Sequence, residues 1–77
     1  MTIYDTISGL EGDLETLIHG NGARSSRAIA CDTLTEKYRV KLARLCELQH
    51  FGLYEYNAAW RVIHNKVDAA KTAILAQ

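Results

Sequence analysis

The chain contains no proline, only five glycines, two cysteines, and one residue each of phenylalanine and tryptophan among 77. Each shortage excludes something. Without proline, no helix is forced to stop or kink by a missing N–H and a ring that clashes with the turn before it. Two cysteines cannot build the disulfide framework of a small secreted domain. Cys31 and Cys46 fall within one predicted helix, about 22 Å apart at 1.5 Å per residue, too far for an intrachain bridge. No apolar run approaches the ~20 residues of a membrane span. The stretch Met1–Leu10 holds Asp5 and no Lys or Arg, so the basic and apolar regions of a secretory signal are missing. The expected location is the cytoplasm, either of the producing cell or of an infected host, with no membrane. Nine basic and nine acidic residues cancel, which gives the whole molecule no bias toward nucleic acid or anionic lipid.

What is present is apolar and suited to helices: 48% of the residues are hydrophobic, mostly Ala, Leu and Ile. The length allows one domain, 1–77. A chain this short buries only about 60% of its unfolded surface, so tightly packed helices or oligomerisation must stabilise it.

The strongest periodicity lies at the C-terminus. Leu53, Tyr56, Trp60, Ile63, Val67, Ala70 and Ile74 step by threes and fours, which predicts a helix over 54–76. A second row, Ala58, Val62, Ala69, Ala73 and Ala76, runs about a third of a turn away. Small residues let another helix approach closely, so Ala58, Val62, Ala69 and Ala73 are the expected oligomer interface. The simplest arrangement is a two-fold dimer.

A first helix is expected over 2–19, from Ile3, Ile7, Leu10, Leu14 and Leu17. Thr2 is its N-cap, with Asp5 where a capping-box acid stands. Gly9 and Gly12 weaken it by roughly 1 kcal/mol each relative to Ala, unless a partner backbone comes close there. Gly20 is expected to close it in the left-handed conformation, and Asn21-Gly22 marks a turn. A phosphate-cradling role for this loop fails on spacing and on the absence of a preceding strand. The second helix is expected over 26–51, capped by Ser25 or Ser26. Its apolar stripe is Ala30, Cys31, Leu34, Tyr38, Leu42, Leu45 and Leu48. At Phe51-Gly52-Leu53 the apolar phase continues without a slip, but Gly52 suits a helix stop and Leu53 could then meet Leu48. The expected fold is therefore all-α: a long antiparallel helical hairpin broken at Gly52, with a shorter N-terminal helix packed on it. Asn57 is the only candidate cap for the third helix.

Candidate chemistry is sparse. Cys46 and His50 are four apart, a spacing that can hold zinc, but two further ligands are lacking. His64 and Asp68 are also four apart with no nucleophile at a matching turn, which leaves a solvent-facing pair worth about 0.3 kcal/mol. No enzyme, metal or cofactor is expected. Arg24, Arg27, Lys37, Arg39, Lys41 and Arg44 are six of the nine basic residues. Lys37, Lys41 and Arg44 form a stripe, with Arg24 and Arg27 just before the helix, that could follow phosphates, or could be solvated, or could face the acidic first helix. A helix-turn-helix is not evident. Tyr54 lies off the core stripe near Arg61 and is the best candidate for an exposed interface anchor.

These features point to a non-enzymatic protein–protein interaction module that acts as an adaptor or inhibitor. The size and the lack of chemistry suit a phage or mobile-element accessory factor that blocks a host protein. Partner contacts are expected at Tyr54, Arg61, Lys37, Lys41 and Arg44. A nucleic-acid-binding regulator using the basic stripe is the alternative.

Overall fold

A computed structural model describes residues 2–77, and among them there are three α-helices and no strand. In chain order these are α1 (Ile3–Ile18), α2 (Arg24–Gln49) and α3 (Leu53–Leu75). They pack as a three-helix bundle of 40 × 18 × 16 Å.

The start of α1 follows from its first four residues. The Asp5 backbone N–H donates to Thr2 Oγ1 at 3.1 Å, and the Thr2 N–H donates to an Asp5 carboxylate oxygen at 3.0 Å. This reciprocal capping box satisfies two donors that a helix start leaves open. Thr6 is buried, and its hydroxyl donates back to the Thr2 carbonyl at 3.2 Å.

The start of α2 differs from expectation. Its N-cap is Ala23, with no side-chain hydrogen bond, and Ser25 and Ser26 lie inside the first turn. Tertiary contacts set this boundary: Arg24 and Arg27 are both tied to neighbouring chain ends (below), and that tether overrides the cap preference. In the connection before it, Gly22 holds the positive φ (114°), not Gly20. Gly20 lies instead against the Thr16 carbonyl, where an added Cβ would sit 2.9 Å away.

The chain does break between α2 and α3, but His50 is the left-handed residue (φ 56°, ψ 37°). The Phe51 N–H donates to the Cys46 carbonyl at 3.0 Å, the six-residue closure typical of a helix end finished by a left-handed residue. A side chain at that position costs about 1 kcal/mol. Gly52 is extended (φ −76°) and serves as the N-cap of α3 without a side-chain bond, and Asn57 lies within that helix.

The core takes Leu10 and Leu14 from α1, Cys31, Tyr38, Leu42 and Cys46 from α2, and Ala59, Ile63, Val67, Ala70 and Ile74 from α3. Fully burying one of the larger aliphatic side chains contributes about 1.5–3 kcal/mol. Leu48 and Leu53, expected on the core stripes, are exposed instead. Helix length explains this. The 16 residues of α1 span about 24 Å and the 26 residues of α2 about 39 Å. The end of α1 is fixed beside Arg27, so α1 stops about 9 Å short of the turn between α2 and α3.

Candidate functional site

At one end of the bundle three helix termini meet. Arg27 Nη1 donates to the carbonyls of Leu17 and Ile18, each at 3.0 Å, and Arg27 Nη2 donates to Gln77 Oε1 at 2.7 Å. Gln77 Nε2 donates to the Ile18 carbonyl at 2.7 Å, and Arg24 Nη1 donates to the Gln77 backbone carbonyl. A guanidinium and an amide thus cap the last carbonyls of α1, which have no partner within the helix. Among the described residues, Arg27 Nε is the one buried side-chain nitrogen or oxygen without a hydrogen-bond partner.

The opposite end carries the larger cluster of exposed apolar side chains, while Ile29 and Leu75 are exposed near the first end. Leu48 is 70% exposed, Leu53 75% and Tyr54 83%, with Phe51 between them at the margin of exposure. Phe51, Gly52, Leu53 and Tyr56 line a shallow depression of about 380 Å³ whose wall includes Cys46 and Glu47. Val40 is also exposed, one helical side away on α2. Sequence reasoning named Tyr54 here but assigned Leu48 and Leu53 to the core. The signal that could have separated them was the short predicted length of the first helix.

The basic residues of α2 are partly engaged. Lys37 Nζ lies 3.6 Å from Asp13, and Arg39 pairs with Glu36 on the same helix. Arg24 and Arg27 are occupied as described. Lys41 Nζ lies 4.9 Å over the Tyr38 ring, within cation–π range. Arg44 and Arg61 are exposed. The acidic first helix receives part of this charge: besides Asp13, Glu11 pairs with Lys66 of α3 at 2.8 Å. The Tyr38 hydroxyl donates to Asp13 at 2.6 Å. Burial first, and then that carboxylate, push the Tyr38 phenol up to about 12.

The remaining candidates separate. Cys46 is buried in α2, whereas His50 is the exposed left-handed residue that follows the helix. Both cysteines are buried and free, and burial pushes their thiols up, away from the nucleophilic thiolate. The His64 ring stands edge-on to Trp60, with centroids 4.3 Å apart. Among the described residues no group of three or more His, Cys, Asp or Glu could hold a metal ion, and no helix is long and apolar enough to cross a membrane. Ala58, Ala69 and Ala73 are exposed along α3, and Val62 is at the margin of exposure.

No family model, curated protein or solved structure matches this chain.

Proposed function

We propose that this chain is a non-enzymatic protein–protein interaction module in which α2 and α3 form an antiparallel hairpin that offers its turn to a protein partner. The observation that carries the reading is the cluster of Leu48, Phe51, Leu53 and Tyr54, four large apolar side chains left uncovered around one three-residue connection. Contiguous exposed apolar surface marks interaction sites, and aromatic anchors dominate their energetics. The ion pair between Asp32 and Lys71 at 3.0 Å and the contact of Arg24 with Gln77 support the hairpin pairing. Binding there would occlude a surface of the partner, as an adaptor or inhibitor does. The exposed row Ala58, Val62, Ala69 and Ala73 is the proposed face for a two-fold dimer. The nucleic-acid reading has less support, because Arg24, Arg27 and Lys37 are already engaged within the chain, which leaves Lys41 and Arg44 of its five cations.

The test is capture from lysate by the wild-type chain and by a Leu53→Ser/Tyr54→Ala variant, with light scattering on both preparations. The expected result is a stoichiometric protein captured by the wild type and lost by the variant, from a bait of twice the chain mass. Recovery of the bait alone would remove the interaction reading, and a monomer at tens of micromolar would remove the dimer.

A further inference from the structure

We propose that the side of α2 running through Lys41, Arg44, Leu45 and Leu48 is a seat for an acidic amphipathic helix of a partner protein. This rests on the reading of the chain as a protein-binding module, and names the chemistry of what it binds.

Part of this side of α2 is already occupied. Asp13, Thr16 and Leu17 of α1 line a cleft with Ala30, Leu34 and Lys37 of α2. Steps of three and four from Ala30 through Leu34 and Lys37 lead on to Lys41, Arg44 or Leu45, and Leu48. All of these therefore lie on one side of the helix. That side of α2 therefore runs on toward the turn, first beside the opening turn of α1 and then past it. There, among the described residues, Lys41, Arg44, Leu45 and Leu48 line a groove of about 200 Å³.

The chemistry of the occupied half sets the chemistry of the vacant one. Every formal charge on α1 is acidic: Asp5, Glu11, Asp13 and Glu15. Its apolar residues Leu10 and Leu14 enter the core, while Asp13 accepts from Tyr38 and lies beside Lys37. The vacant half repeats that arrangement. Leu45 forms a nearly buried floor, Leu48 stands 70% exposed above it, and two cations flank them. Among the described residues no carboxylate forms an ion pair with Lys41 or Arg44. From 41 to 48 the helix rises about 10 Å, two turns, enough for two apolar residues of a docking helix to meet Leu45 and Leu48 while its carboxylates reach the cations. A phosphate backbone would find the cations but leave the leucines unmatched. An acidic amphipathic helix satisfies both, and opposite charge speeds its encounter.

The experiment titrates the full isotope-labelled chain with a peptide of about eighteen residues, long enough to form a helix. It carries leucines at every third or fourth position, a few glutamates beside them and alanine elsewhere to favour the helix, and a version with lysine for glutamate serves as its counterpart. The expected result is binding by the glutamate peptide, amide shifts centred on 41–48, and no binding by the lysine version. Lys41→Glu/Arg44→Glu should weaken binding at least about tenfold, as loss of close charge pairs does. Leu48→Ala, which leaves the charge unchanged, should also weaken it, with helicity by circular dichroism intact in both variants. Shifts centred on Leu53 and Tyr54 would overturn this seat and leave the interaction reading standing. Shifts over 27–37, meaning displacement of α1, would overturn it too, as would a dimer abolished by Leu48→Ala, tighter binding of a DNA duplex with steep salt dependence, or no binding at millimolar peptide. The interaction reading itself falls only with the capture experiment.

Discussion

The end of the bundle where three helices meet and the end where only two remain are held by different means. At the first, the open carbonyls of α1 are satisfied by Arg27 and Gln77, and Leu14 and Ile74 are buried beneath. At the second, α3 starts on Gly52 without a side-chain cap, and Leu48, Leu53 and Tyr54 face outward. The residue types at the two ends are similar; coverage differs. A leucine contributes to stability only where another helix lies over it, and α1 is long enough to cover only one end. Buried aliphatic side chains therefore stabilise the covered end, and the larger cluster of exposed apolar side chains lies at the other.

Paired truncations put the largest strain on this contrast. Ile74→Ala removes a fully buried side chain and should cost about 2–5 kcal/mol, which for a domain of this size lowers Tm by roughly 4–8 °C per kcal/mol. Leu53→Ala deletes the same amount of carbon from a residue that is 75% exposed and should stay within about 0.5 kcal/mol. Urea or thermal unfolding of the two variants reads the difference. Equal losses would mean that the uncovered end is covered in solution, and the contrast would fail.

A smaller effect sharpens the covered side. Tyr38 is buried against α1, and its hydroxyl donates to Asp13. Its folded pKa is raised from 10.0 to about 12, so the native state holds this proton more tightly than the unfolded chain does. The stabilisation is complete below about pH 10 and is lost as pH rises from 10 to 12. Tyr38→Phe should cost about 1 kcal/mol at neutral pH, and its stability should fall less steeply across that alkaline window. Parallel slopes for variant and wild type would detach Tyr38 from the joint between α1 and α2.

Much of this was legible in the residues because it is local. The Thr2–Asp5 box, the three helices and the row Ile63, Val67, Ala70 and Ile74 all follow from spacing within one segment. The errors came where one segment depends on another. Ser25 and Ser26 read as caps, but arginines tethered to distant termini moved the boundary to Ala23. Gly20 and Gly52 read as the left-handed positions, and Gly22 and His50 occupy that region instead. Leu48 and Leu53 keep perfect helical phase with the core, yet phase reports only direction. Whether anything lies in that direction is set by the length of a different helix. The candidate surface was visible only as Tyr54 for the same reason.

The smallest prediction compares two glycines of α1 that the sequence treats alike. An added Cβ at Gly12 meets nothing within 4 Å, whereas at Gly9 it would lie 3.2 Å from the Tyr38 hydroxyl. Gly12→Ala should therefore stabilise the chain by about 1 kcal/mol, through helix propensity and a less flexible unfolded state. Gly9→Ala has the same intrinsic gain, but Tyr38 must shift by a few tenths of an ångström, against a hydroxyl held at 2.6 Å by Asp13. Its net effect should be near zero or destabilising. Thermal unfolding of the two variants separates them, and combining Gly9→Ala with Tyr38→Phe, which removes the crowded oxygen, should restore most of the lost gain. Equal stabilisation by both alanines would mean that α1 rests on α2 more loosely than the Tyr38–Asp13 contact implies, and that the covered end owes its stability to the aliphatic core alone.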